Sequence, residues 1–350
     1  MFFSKKIEPI ALDIGSTYIK LVQIKGSGKS CHLVKFGMVP LPPEVIVEGA
    51  VMDAGRVVDA IKELLAAQKV RTKEAVISVS GSSVIIKRIQ VSDMTDEELA
   101  ESIKWEAEQY IPFSIDDVNI DFQKIGPGAL EGQADVLLVA VKKDKINDYI
   151  NLVKEAGLEP VVMDVDAFAL GNMYELNYEA EAGITALLNI GASVMNINIV
   201  KDGVSTFTRD VTVGGNRYTE ALQKDFGLSS EDAEKVKRGE DAEGVDKQQA
   251  AAIMSSVTED IVTEIQRSFE FFRSTAASDK VTRVLVSGGC ARIPGFLSVL
   301  SERLEVPAEV ADPFKNIKFD PKRFNLAFME EAGPMAAVAV GLAIRRPGDR

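Results

Sequence analysis

The feature that most constrains this chain is a repeat. Leu12-Asp13-Ile14-Gly15-Ser16-Thr17 near the start is matched by Leu188-Asn189-Ile190-Gly191-Ala192-Ser193 near the middle. Each copy is an apolar run, a polar residue, a glycine, a small residue and a hydroxyl residue, followed by an alternating segment. Ile24-Lys25 in the first copy falls at the same offset as Val200-Lys201 in the second. The pattern predicts two related lobes, each offering one glycine turn, with a cleft between them that has a turn on each wall. A third turn, Ser287-Gly288-Gly289, ends the apolar run 281–287.

Such turns suit a polyphosphate. A glycine hairpin gathers backbone N–H groups into a concavity that accepts anions, and the missing Cβ lets a phosphate approach the backbone. Ser16, Thr17 and Ser193 add hydroxyl donors. Lys20 follows on the strand after the first turn, within reach of a phosphate oxygen. Asp13, at the end of its strand, is suited to hold Mg2+ through water, because Mg2+ keeps several waters and needs one or two carboxylates. One copy alone reads as an ordinary hairpin; two copies in register with a third glycine turn point to a polyphosphate.

Charge and composition remove other classes. Lysine and arginine number 40 against 53 acids, a formal charge of −13, which repels nucleic-acid backbones. Arg345, Arg346 and Arg350 read as a short solvated cluster. Cys31 and Cys290 lie far apart and His32 is the single histidine, so no metal-ligand spacing exists and both thiols read as reduced and buried. The longest apolar stretch, 334–344, falls short of the roughly 20 residues of a spanning helix. The opening residues lack an apolar stretch with a cleavage site. Membrane association is therefore expected through a partner or a surface helix.

Periodicity predicts strands at 10–14, 17–24 and 32–39, a helix over 55–68 and a strand at 75–80. The rhythm then changes. Residues 83–91 read as a strand, and Thr95 with Glu98 forms a capping box opening a helix to about 110. Residues 119–125 and 134–141 read as paired strands, and 144–156 as a helix stopped by Gly157. This block has the form of an inserted subdomain. The second half restarts the first pattern with strands at 184–190, 193–200 and 204–213. A long helix over 247–274 presents Ile253, Val257, Ile261, Ile265 and Phe269 at spacings of four, and a last helix lies near 334–344. Trp105, Tyr110, Ile111 and Phe113 around Pro112 read as core; any part left exposed would be a peptide-docking surface.

These residues resemble the actin-like superfamily of ATP-binding proteins, which includes FtsA. Residues 12–17 and 188–193 look like its two phosphate loops, 286–289 like its adenosine loop, and 333–341 like the connecting helix at the domain hinge. Gly214-Gly215-Asn216 resembles the turn into subdomain 2B, and Glu234 with Lys237 the pair that holds the ribose. The resemblance implies a duplicated two-lobe α/β fold of the ribonuclease H-like type. It implies an ATP site made of Gly15, Ser16, Thr17, Tyr18, Lys20, Asn189, Gly191, Ala192, Ser193, Gly214, Gly215, Asn216, Glu234, Lys237, Gly288, Gly289 and Arg292, with Mg2+ held at Asp13.

Within that superfamily the chain is similar to the PilM family of type IV pilus assembly proteins. Residues 104–113 (KWEAEQYIPF), 4–24 (SKKIEPIALDIGSTYIKLVQI) and 163–170 (MDVDAFAL) carry the similarity. The resemblance implies subdomain 1A over 1–80 with 164–183 and 334–350, and subdomain 1C over 81–163. Subdomain 2A would cover 184–213 with 276–333, and 2B would cover 214–275. It implies a cytoplasmic scaffold, peripheral to the inner membrane, that docks the N-terminal cytoplasmic tail of PilN near the junction of 1A and 1C. Contacts with pilus motor ATPases and the platform protein, and self-association, belong to the same expectation. Asn189 departs from the usual Asp, which implies that ATP binding is kept and hydrolysis is slow at most. Asp13, Asp164 and Asp166 are the candidate catalytic carboxylates, the latter two for orienting an attacking water, although Asp166 reads equally as a helix N-cap. A small-molecule kinase would need a carboxylate base at the acceptor hydroxyl. A filament-forming protein would self-assemble, and an FtsA-like anchor would end in a basic amphipathic helix, which the terminal RRPGDR does not form.

Overall fold

The computed structural model describes residues 8–179, 183–275 and 280–349. Arg350 and the first four residues of the segment quoted from position 4 lie outside them, as do parts of the expected spans at 180–182 and 276–279. Strand β1 (Ile10–Ile14) turns at Gly15 into β2 (Tyr18–Lys25), which pairs antiparallel with β3 (His32–Pro40). A short hairpin, β4 (Ile46–Val47) and β5 (Ala50–Val51), leads to α1 (Ala54–Ala67). Asp53 caps α1 by accepting the Arg56 N–H at 3.0 Å, and the stripe Val57, Val58, Ile61, Leu64 is buried. Strand β6 (Glu74–Val79) then lies parallel to β1.

The next block is β7 (Val84–Ser92), α2 (Asp96–Ala107), β8 (Val118–Pro127), β9 (Gln133–Lys142) and α3 (Lys143–Glu155). The expected capping box opens α2, with Thr95 and Glu98 each bonding the other's backbone N–H. Strands β7, β9 and β8 form a sheet of their own against α2, with a core of Ile89, Val91, Leu99, Ile103, Val136 and Leu138. Helix α3 and the following β10 (Glu159–Val165) do not join that core. Strand β10 pairs with β6, and Tyr149, Leu152 and Val153 of α3 pack under the first sheet. The separately packed part of the expected 81–163 insert is therefore β7 to β9 with α2.

Chain order continues with α4 (Asp166–Asn177), β11 (Ile184–Ile190), β12 (Met195–Lys201) and β13 (Val204–Val211). Then come α5 (Asn216–Phe226), α6 (Ser230–Lys237), α7 (Lys247–Thr275), β14 (Arg283–Ser287), α8 (Phe296–Leu304) and β15 (Ala308–Val310). The two five-stranded sheets run β3-β2-β1-β6-β10 and β13-β12-β11-β14-β15. In both, three antiparallel strands are followed by two parallel ones, so the sequence repeat is a repeat of topology. Ile14 faces Ile19 beside the first turn as Ile190 faces Met195 beside the second.

Helices α9 (Leu326–Ala332) and α10 (Ala337–Ala343) return the chain to the seam between lobes. Helices α4 and α10 share one core with Ala11 and Val22 of the first sheet and Leu187, Val200 and Leu285 of the second. They approach so closely at Gly341 that a Cβ there would lie 1.7 Å from the Ala169 carbonyl oxygen. The stretch Leu326–Ala343 is apolar enough to cross a membrane, at a mean hydropathy of 1.3, but 61% of it is buried inside the protein. It is also broken by a 3-10 turn at Gly333–Ala336.

Two expectations are corrected. Trp105 is 76% exposed rather than core, and Tyr110 is exposed, while Ile111 is buried. The buried series on α2 is Leu99, Ile103, Ala107; Trp105, two positions past Ile103, lies about 200° round the helix and faces out. Arg345 and Arg346 are not simply solvated: Arg345 pairs with buried Asp164 at 2.9 Å and Arg346 with Glu8 at 3.1 Å.

Candidate functional site

Both repeat turns close in the same way. The Gly15 N–H donates to the Tyr18 carbonyl at 3.1 Å and the Gly191 N–H to the Val194 carbonyl at 3.0 Å. The turns meet across the cleft, where the Ser193 hydroxyl donates to the Ser16 hydroxyl at 3.0 Å. Gly288, at φ +85°, sits against the carbonyl of Ile190, where a Cβ would come within 2.4 Å of the oxygen. Its N–H donates to the Pro334 carbonyl at 2.9 Å, which fixes the third turn to the segment entering α10. Three glycine turns, one from the first lobe and two from the second, thus line one cleft of about 270 Å³.

The cleft combines donors with few carboxylates. Lys20 pairs with Asp13 at 3.1 Å, across the β1–β2 register. Burial pushes the Asp13 carboxyl up from its ordinary value; Lys20 pulls it back and Asp166 adds to the rise. Asp166 opens α4, where the helix N-terminus favours an anion, and accepts the Ser78 hydroxyl at 2.6 Å. Val165 occupies the cap position and Asp166 the first turn, so its side chain is not an N-cap. At the other end Glu234 accepts from Lys237 and Thr219, and Lys237 also reaches Thr219 Oγ1 at 3.1 Å. Burial pushes the adjoining Cys290 thiol up to about 12, so it stays protonated and inert. Cys31 and Cys290 are both free and buried, as expected.

The cleft gathers Asp13, Gly15, Ser16, Thr17, Tyr18, Lys20, Asp166, Asn189, Gly191, Ala192, Ser193, Gly215, Glu234, Lys237, Gly288, Gly289 and Arg292. Three expected residues lie elsewhere. Asp164 points away and is neutralised by Arg345, which removes it as a water-orienting group. Gly214 is packed behind the second turn, where a Cβ would meet the Gly191 and Ala192 carbonyls at 2.5 and 2.6 Å. Asn216 supports the turn from behind, its Nδ2 donating to Ser193 Oγ at 3.3 Å.

Sequence reasoning missed the far end of the cleft, lined by Ile46, Gly49, Ser80 and Tyr149. Tyr149 comes from α3 and donates its hydroxyl to the Gly49 carbonyl at 3.3 Å, beside Lys145. Burial and the nearby Asp166 and Asp13 raise the Tyr149 pKa well above its ordinary value. Asn196, opposite Asn189, was also missed; its register relation to Lys20 was the available signal.

The arrangement fits a phosphate chain with a sugar at one end. Fixed hydroxyls, turn amides and two ammonium groups supply the donors, and glycines leave the approach open. Among the described residues no group of three His, Cys, Asp or Glu side chains is placed to hold a metal ion. A divalent ion here would keep mostly water ligands, beside Asp13 and Asp166.

Comparison with known proteins bears on the family and the fold. Residues 11–347 match the family described as type IV pilus assembly protein PilM. The cell division protein FtsA of Bacillus subtilis (strain 168) is 24% identical over 352 residues, covering 87% of this chain and 78% of that protein. A solved PilM-PilN type IV pilus biogenesis complex superposes with a TM-score of 0.86 at 32% identity, covering 97% of this chain and 99% of the other. MreB5 of Spiroplasma citri, solved bound to ADP, shares the fold at a TM-score of 0.53 and 12% identity, covering 96% and 94%.

Proposed function

The chain belongs to the type IV pilus assembly protein PilM family and has the actin-like fold, and from that premise we propose that it is an ATP-loaded docking scaffold. It binds the cytoplasmic N-terminal tail of PilN at the junction of the first lobe and the insert. It stands on the cytoplasmic side of the inner membrane, held there through that partner, and passes its state to the pilus motor ATPases and platform protein. The observation that carries the ATP reading is the hydroxyl contact between Ser16 and Ser193, which puts two glycine turns from opposite lobes on one cleft. The PilN reading is supported by the fit to a PilM-PilN complex along nearly the whole chain.

In this reading Gly15, Ser16, Thr17, Ala192 and Ser193 bind the phosphates and Lys20 neutralises them. Glu234 and Lys237 orient the ribose, and Gly288, Gly289 and Arg292 bound the base. Mg2+ accompanying the phosphates would offset their charge near Asp13. The expected subdomains 1A, 1C, 2A and 2B serve as the moving parts, with α3 and β10 travelling with 1A. Asp166, held by Ser78, is the carboxylate placed to orient a water at the terminal phosphate, which supports a slow ATPase as a second reading.

Two measurements test the proposal. Calorimetric titration should show ATP binding, and a PilN tail peptide should be retained by the purified chain. Absence of peptide binding both with and without ATP would reject the scaffold.

A further inference from the structure

Position 189 carries an amide, and its hydrogen bonds give that amide a task. Four neighbouring strands of the second sheet present one polar side chain each in a single cross-strand row. Ser287 stands opposite Asn189, Asn189 opposite Asn196, and Asn196 opposite Asp210. The Ser287 hydroxyl lies 3.3 Å from both Asn189 Oδ1 and the Leu188 carbonyl, Asn189 Nδ2 donates to Asn196 Oδ1 at 2.9 Å, and Asn196 Nδ2 to Asp210 Oδ1 at 2.8 Å. The row continues past the sheet edge. Asp210 Oδ2 accepts the backbone N–H of Gly81 at 2.6 Å.

Gly81 lies in the turn between β6 and β7, where the chain leaves the first lobe for the insert. Its φ of +88° suits glycine, and its carbonyl accepts the Val84 N–H at 3.0 Å. The row therefore starts beside the third glycine turn, passes Asn189 and Asn196 on the cleft wall, and ends at the root of the insert. Both amide donors in it point toward the Asp210 carboxylate. Only a side chain that both donates and accepts can pass that direction on, which calls for amides at 189 and 196. A carboxylate at 189 would accept from both sides, turn Asn196 round, and set Asn196 Oδ1 against Asp210.

We propose that this row is a latch carrying the state of the cleft to the insert. A nucleotide on the second and third turns fixes Asn189 and Asn196; these orient Asp210, and Asp210 holds Gly81 and the insert against the second lobe. Asp210 thus serves the joint with the insert. The latch rests on the nucleotide reading above, and it transmits only as much free energy as the nucleotide's preference for the latched state. Asp210 is a positioning residue outside the cleft lining.

Amide hydrogen exchange over residues 79–92 of the full chain, with and without ATP, tests the latch in wild type, Asp210→Ala, Asp210→Asn and Ser287→Ala. ATP should slow exchange at Gly81 roughly tenfold in wild type, the scale of one hydrogen bond to a charged acceptor. In D210A that effect should fall below about twofold while ATP affinity changes less than about threefold. D210N has one acceptor oxygen where Asp210 uses two, so it can hold Gly81 or Asn196 but not both; the chain should fold and bind ATP while the ATP dependence at Gly81 is lost, which a merely structural role for residue 210 would not produce. Full ATP-dependent protection at Gly81 in D210A, or in S287A should D210A not fold, overturns the latch. ATP binding to wild type with no change at Gly81 overturns the latch and leaves the nucleotide reading standing; no ATP binding overturns both.

Discussion

Asp210 shows what one half-buried carboxyl costs. Burial raises its pKa to about 6 from 3.8; hydrogen bonds from Asn196 and Gly81 oppose the rise, and the more distant Asp166 adds to it. The native state therefore holds this proton more tightly than the unfolded chain. The contribution of Asp210 to stability is fully present below about pH 4 and is lost as pH rises through 6, by roughly 3 kcal/mol for a shift of that size. Thermal unfolding of wild type and D210A at pH 5 and pH 8 checks the sign: wild type should gain on D210A at the lower pH. A difference independent of pH would show that the carboxyl is not buried as described. Lys20 makes a second prediction at this scale. Lys20→Ala removes the cleft cation beside Asp13 and should weaken ATP binding roughly tenfold or more by calorimetry, the worth of one charge-assisted hydrogen bond. Most of the residues readable from the repeat lie within a few positions of a glycine turn, whereas Asp166, Glu234 and Lys237 were reached only through the family resemblance. Asn196, five positions past Gly191 as Lys20 is past Gly15, was legible through the repeat; Asp210 and Tyr149 enter through strand register and helix docking, which no local pattern records.

Secondary elements were legible where their periodicity was strong, and the misassignments share one cause. The stripes of α1 and α7, the capping box of α2 and the paired strands β8 and β9 are all local signals, and each element forms within a residue or two of its expected place except the end of α2, which stops at Ala107, about three residues early. Which core an element joins is a tertiary choice. Helix α3 and β10 read as part of the insert because they follow it, yet β10 finds its partner in β6. Trp105 read as core because it is large and apolar, although it stands off the buried stripe of α2. Its exposure carries a prediction: Trp105→Ala should change the thermal midpoint by no more than about 1 °C, because removing an exposed side chain costs within ~0.5 kcal/mol. Gly341 is the opposite case. Gly341→Ala must drive α4 and α10 apart, and it should lower stability by about 1–3 kcal/mol or more in denaturant titration. An unchanged midpoint would mean the two helices are not in contact.

At the scale of the molecule, the duplication itself was the readable fact, because two copies of one strand pattern make two sheets of one topology. The joint between them was not readable. It is built from α4 and α10 packed between the sheets, from the Ser16–Ser193 contact, and from the Gly81–Asp210 bond. All three join residues more than a hundred positions apart in sequence. A ligand gripped from both sides of such a joint binds the closed native state and not the unfolded chain. ATP should therefore stabilise the whole protein by mass action, by about 2.7 kcal/mol at a concentration a hundredfold above its Kd. For a molecule of this size that amounts to a rise of a few degrees in the thermal midpoint. The same rise should be smaller in Ser16→Ala/Ser193→Ala and should fall to about half or less in Lys20→Ala at equal ATP, because a tenfold weaker Kd leaves about 1.4 kcal/mol. If ATP raises the midpoint equally in all three proteins, the nucleotide is held somewhere other than the facing turns, and the coupling of cleft to insert loses its source.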